Sequence, residues 1–274
     1  MGRHTTSQRD RAVTDTVAYV LMFSIIVTGV GLVATSGVDS LAELRQDEQL
    51  NAADRSMQTL DATFDDLDGG SAPRRRIALP LKGGSVYLAN STVNVTVTTG
   101  SGPRTTRVDV GSFRHRLDDE EVVSEGGAVF RFALVRRPPS IRCTRTTAVV
   151  HLRKYTTASG VPFYYGSGDE ATVRVVDDDG RSFVEPGRPN ETRPSSANLE
   201  LVANHSETTV DATHGSATDV VVNVSGTATP EGWRAYFERN PRWSRTGDDA
   251  FSCSSSRVYL RVTTVELRTT LLGP

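Results

Sequence analysis

From Thr16 to Val38 the chain reads TVAYVLMFSIIVTGVGLVATSGV, 23 residues without a charge. At about 1.5 Å rise per residue, a helix of that length crosses a hydrocarbon core of about 30 Å with some tilt, so the run predicts a transmembrane helix over 16–38. Arg3, Arg9 and Arg11 precede it, and the first charges after it are Asp39 and Glu43. That bias places the amino terminus in the cytoplasm and everything after Val38 outside, as a single-pass protein of the cell membrane. The competing reading is a secretory signal peptide, because Ala34, Ser36 and Gly37 are small enough for a peptidase. The run is longer than the roughly 7 to 15 residues of a signal core, and helical periodicity continues beyond it.

That periodicity is carried by Leu50, Ala53, Met57, Leu60, Phe64 and Leu67, spaced alternately three and four apart, with Gly69-Gly70 ending the pattern. The spacing lays one apolar stripe on a helix and predicts that Asp54, Arg55, Asp61, Asp65 and Asp66 face away from it. A helix from about Val13 to Asp68 would be roughly 84 Å long, and its outer half requires a partner surface, in the downstream domain or in a second copy.

Arg11, Ala12, Val13, Thr14 and Asp15, followed by TVAYVLMFSIIVTGVG, resemble the start of the type IV pilin-like and archaellin-like proteins of archaea, most of all haloarchaeal membrane proteins with pilin-like starts. The resemblance covers about the first 70 residues. It implies cleavage by a dedicated membrane peptidase after Ala12, a mature terminus at Val13, and filaments built by bundling these helices. Where bacterial-type pilins carry Glu at the fifth mature position this chain has Val17, and the nearby acid is Asp15 at the third. Asp15 either pairs with a neighbouring subunit's amine or sits at headgroup level, favoured by the helix dipole.

After Gly70 the period changes from 3.6 to 2. Val93, Val95 and Val97 alternate with Thr92, Asn94, Thr96 and Thr98 as in a half-buried strand. Similar runs occur at 77–81, 86–89, 128–135, 148–155, 171–176, 198–203, 219–224 and 257–272, and 33 Val with 32 Thr favour pleated surfaces throughout. In the last run the apolar parity shifts from Val258, Leu260 and Val262 to Val265 and Leu267, which predicts a β-bulge near Thr263 and Thr264. Thr229 as cap, Pro230 in the first turn and Asn240-Pro241 as stop mark one short helix, whose Trp233, Tyr236 and Phe237 pack on a sheet. The expected fold is α+β: a cytoplasmic basic leader at 1–12, a helix at 13–69 (transmembrane 16–38, amphipathic stalk 39–68), and an extracellular domain at 70–274. That domain is expected to be a mainly antiparallel β-sandwich or jelly roll.

Candidate sites are few. Sequons stand at Asn90, Asn94, Asn190, Asn204 and Asn223, and glycans on such positions require solvent-exposed side chains. Cys143 and Cys253 are either a disulfide or two buried thiols. His115, Cys143 and Arg153 occur in the order of a sortase-like cysteine transpeptidase, but Ser140-Ile141-Arg142 lacks that family's apolar-Thr approach to the Cys. Asp177-Asp178-Asp179-Gly180 reads as a hairpin turn rather than a calcium loop. With 31 basic against 33 acidic residues a nucleic-acid partner is not expected, and no motif calls for a metal or cofactor. The expected role is structural or adhesive and non-enzymatic: a membrane-anchored, outward-facing envelope protein, a minor pilin or surface subunit. Its partners would be membrane lipid, other pilin-like subunits or envelope glycan. The second reading is a non-polymerising binding module for envelope glycan or a solute, and the third an anchored transpeptidase.

Overall fold

The computed structural model describes residues 7–68, 72–81, 84–117, 120–157, 164–166, 172–176, 182–186 and 198–272, with the side chains at 7–16, 32–43, 164–166, 172–176, 182–186, 198, 206–207, 209–211 and 269–272 excepted. The chain divides into two units, Met1–Glu48 and Gln49–Pro274. Helix α1 (Ser7–Asp68) opens the chain. The strands that follow are β1 (Arg74–Pro80), β2 (Ser85–Ala89), β3 (Thr92–Thr99), β4 (Gly102–Asp109), β5 (Ser112–Leu117), β6 (Glu120–Glu125), β7 (Ala128–Arg131), β8 (Leu134–Arg137), β9 (Ile141–Cys143) and β10 (Ala148–Thr157). Then come β11 (Tyr164–Gly166), β12 (Thr172–Val176), β13 (Ser182–Pro186), β14 (Asn198–Gly215) and β15 (Ala217–Gly226). Helix α2 (Pro230–Glu238), β16 (Ser244–Gly247), β17 (Ala250–Cys253) and β18 (Arg257–Leu272) complete the chain.

Two expectations are corrected here. Most of the described chain is strand, so the class is mainly β rather than α+β. Among the described residues no helix is long and apolar enough to cross a membrane. Outside the uncharged run 16–38, charged residues occupy much of α1. The single-pass membrane placement, with cytoplasmic amino terminus and extracellular domain, loses its support, and so do the transmembrane, cell-surface and pilin-like descriptions that rested on it.

In the second unit the strands form three sheets and a hairpin, in the orders β1-β14-β18-β10-β9, β11-β2-β5-β6-β7-β8, β16-β17-β15-β3-β4 and β12-β13. Among the described residues pairing is antiparallel except for β10 with β18, which run parallel from Ala148–Val258 to Thr157–Leu267 without a break. Because that register is unbroken, positions 258, 260 and 262 face one side of the sheet and 265 and 267 the other. The first set joins a core with Val93, Val95, Val97, Trp233 and Phe237, and the second joins a separate core with Leu50, Met57, Leu60, Phe64 and Leu67. The bulge expected near Thr263 and Thr264 is thus not what shifts the parity; the register irregularity lies on the neighbouring strand. β14 slips register against β18 between His205 and Glu207 and again between Thr208 and Val210, opposite Val262–Val265.

The run 128–135 is split by a turn in which Phe132 has φ 53°, giving β7 and β8. The preceding hairpin turns at Gly126 and Gly127, both at positive φ (61° and 88°), the geometry a two-residue turn needs. On α2, Trp233 and Phe237 are fully buried and Tyr236 packs at the edge of the core. Residues 177–180 fall outside the described set, while the strands flanking them, β12 and β13, pair antiparallel.

Candidate functional site

Residues 49–68 of α1 lie on the face of β10 and β18 opposite the first core. Their apolar stripe is covered on one side, as Leu50, Met57, Leu60, Phe64 and Leu67 show at 0–1% exposure. The other side is not solvent: Asp54 and Asp61 are buried as well. This corrects the reading of those two aspartates as an outward face. The helix also ends badly on its own terms, with Asp61, Asp65, Asp66 and Asp68 near a C-terminus that carries no basic residue in its last turn, where the helix dipole disfavours anions.

Arginines from the sheets compensate. Arg153 on β10, 2% exposed, donates from Nη1 to Asp61 Oδ1 at 2.5 Å, from Nη2 to Asp65 Oδ1 at 2.8 Å, and from Nε and Nη2 to Asp68 Oδ2 at 3.0 and 2.6 Å. Arg136 on β8 holds Asp54 Oδ2 from Nε at 2.6 Å. Arg137, also on β8, pairs with Asp65 and lies 2.7 Å from Asp61 Oδ2 through Nε, close enough to pair the charges although not aligned as a hydrogen bond. Ser124 Oγ and Tyr155 Oη complete Asp61 at 3.1 and 3.3 Å. Burial alone would lower the Arg153 guanidinium, but Asp61, Tyr155 and Asp68 outweigh it and hold it well above its ordinary value. The Tyr155 phenol is pushed up by burial and by the Asp61 charge. His151 lies 4.0 Å from Asp68 and bonds Thr263 at 3.0 Å; burial first, then Arg153 and Arg261, lower it against the pull of Asp68. Chemically the arrangement holds charge, binding one helix between sheets.

A second polar node holds α2. Glu125, at the end of β6 and fully buried, accepts from Ser91 Oγ, the Ala228 amide (2.8 Å), Thr229 Oγ1 (2.9 Å) and Trp233 Nε1 (2.9 Å). Thr229 therefore does not cap α2 with its own side chain; the carboxylate from β6 sits at the helix start instead, where an anion is favoured. Nothing in the local sequence marks Glu125, since its partners are 34 and 103–108 residues away.

The remaining candidates do not converge. Cys143 and Cys253 form a disulfide with Cα atoms 6.5 Å apart. His115 is buried with Nε2 on the Leu81 carbonyl, and Arg153 is committed to the aspartates, so the three transpeptidase candidates are each engaged elsewhere. Asn90 is exposed, Asn94 and Asn223 are half-buried register partners across β3 and β15, Asn204 is half-buried on β14, and Asn190 lies outside the described residues. Asn223 Oδ1 accepts from the Ser225 amide and hydroxyl at 3.0 and 2.7 Å. Arg11, Ala12, Val13 and Asp15 fall within α1, their side chains outside the described set. No group of three or more ligating side chains is placed to hold a metal among the described residues.

The sequence model of a family of unknown function (DUF7289) matches residues 11–268. No curated protein and no solved structure matches the chain.

Proposed function

This chain belongs to the DUF7289 family of unknown function, a membership that fixes no activity, and we propose that it is a structural subunit that joins like subunits through its N-terminal helix and carries a rigid β body. One observation carries the reading. In the first unit Val17, Tyr19, Val20, Leu21, Met22, Phe23, Ile25, Ile26, Val27 and Val30 are 52–71% exposed, on every side of the helix. A helix apolar all round is one whose working state is covered. The same segment of another copy supplies a cover of matching length and chemistry. Gly29 and Gly31 have open space where a Cβ would stand, and Ser24 Oγ is already satisfied by the Val20 carbonyl at 2.7 Å, so close helix approach strands no polar group there. The arginine–aspartate lock supports the second half of the reading, because it ties residues 49–68 into the β body.

Co-purification of two differently tagged full-length copies tests this. The natural pair is expected to co-purify, and the Tyr19→Lys, Phe23→Lys, Ile26→Lys triple variant to lose the partner while its β body unfolds at the same temperature. Retention of the partner by the triple variant would place the contact elsewhere and refute the reading.

A further inference from the structure

The face of β10 and β18 that carries Val150, Leu152, Leu260 and Val262 is covered by the first core. By strand alternation the same face continues at Lys154, Thr156, Glu266 and Arg268. There the register aligns Arg74, Asn204, Glu266 and Thr156 in one row across β1, β14, β18 and β10. Two clefts open along it. One, of about 360 Å³, runs between Lys154–Thr157 and the wall formed by Thr92, Arg107 and Asp109. The other, of about 330 Å³, is lined by Arg74, Asn204, His205, Glu266 and Arg268. Thr156 of the first and Glu266 of the second are register partners, so the clefts are neighbours on one polar shelf. β14 loses register immediately after His205, and such bulges re-aim side chains beside binding sites.

The charges on the shelf alternate. Arg107 bonds Asp109 Oδ1 at 3.3 Å and Arg268 bonds Glu266 Oε1 at 2.9 Å, leaving the second oxygen of each carboxylate without a bond among the described residues. Arg74 and Lys154 have no ion-pair partner among the described residues. They stand at opposite ends of the shelf, three strand spacings across and two residues along, or about 16 Å apart at 4.8 Å per strand and 3.3 Å per residue. Two cations without an ion-pair partner among the described residues suit two anions, while the carboxylates, an amide and a hydroxyl between them accept from and donate to hydroxyl groups. A polyphosphate would meet Asp109 and Glu266 as repulsion, and a neutral sugar would leave the cations unpaired. We propose that this shelf binds an acidic oligosaccharide, with Arg74 and Lys154 each taking a sugar carboxylate and Glu266, Asp109, Asn204 and Thr156 bonding the hydroxyls between.

Calorimetric titration of the full chain with hexagalacturonate tests it, with maltohexaose and inorganic polyphosphate as comparisons. Hexagalacturonate is expected to bind and maltohexaose to give no heat. Arg74→Gln and Lys154→Gln are each expected to weaken binding about tenfold, the effect of one lost charge-assisted hydrogen bond, with unchanged unfolding transitions. Glu266→Gln is expected to weaken binding too, whereas a merely cationic patch would bind more tightly once that negative charge is gone. Absence of hexagalacturonate binding, equal binding of polyphosphate, or tighter binding by Glu266→Gln each overturns the proposal. The shelf variants are expected to leave co-purification of the copies intact, so failure here and failure of self-association are separate results.

Discussion

Arg153 is the residue on which the docked helix turns. Removing it leaves buried Asp68 without its guanidinium and buried Asp61 with Arg137 alone, and breaking a buried pair from one side costs roughly 3–5 kcal/mol. Arg153→Ala is therefore expected to lower stability by about that amount in urea unfolding. Arg153→Lys should recover only part, because an ammonium cannot reach three carboxylates as a planar fork does; full recovery by Lys would show that charge alone matters. Glu125 makes the parallel case for a neutral-donor node: Glu125→Ala strands the Trp233 indole and the Ala228 amide, at about 1–3 kcal/mol for each buried group left unpaired. One buried and one half-buried histidine set a pH response. Burial lowers both His115 and His151 below the ordinary value, so near pH 6.5 the unfolded chain takes up protons that the folded chain does not. Stability is thus whole above about pH 6.5 and falls as pH drops below it. A His115→Gln variant is expected to flatten that slope in melts between pH 7.5 and 5.5; an unchanged slope would assign the response to other groups.

Among the elements, those legible in the sequence are the ones whose signal is local. The alternation of Val93, Val95 and Val97 reads directly as β3, and the three-four spacing of Leu50 to Leu67 as a helix face. Asp54 and Asp61 were illegible for the same reason: periodicity locates the apolar face of a helix but cannot see that its polar face is covered by another sheet bearing Arg136 and Arg137. The parity shift in β18 reads as a register defect in the sequence, but it reflects burial of the strand's two faces in different cores, and the register slips opposite it sit in β14. The parallel β10–β18 pair joins segments about a hundred residues apart and leaves no mark in either. Packing also reverses an ordinary rule. Gly232 within α2 would place a Cβ 2.5 Å from Phe130 Cδ1, so Gly232→Ala, worth about 1 kcal/mol of stabilisation in an open helix, is expected to destabilise; a raised melting temperature would contradict the close approach of α2 to β7. The disulfide closes a separation of 110 residues, and Cys143→Ser and Cys253→Ser are expected to lose the same stability, up to about 4–5 kcal/mol. Unequal losses would show that one thiol matters in its own right.

At the scale of the whole molecule, the two units differ in how their apolar residues are served. The second buries its residues in two cores on opposite faces of one sheet. The first shows its large apolar residues exposed. The sequence marks that stretch more strongly than any other, but hydropathy alone does not say what covers it. The proposed cover is the same segment of like subunits, and sedimentation equilibrium of the full chain over a wide concentration range tests that assignment most directly. A discrete oligomer that dissociates on dilution, and that the Tyr19→Lys, Phe23→Lys, Ile26→Lys variant fails to form, is the predicted result. A single monomeric species at every concentration would contradict it.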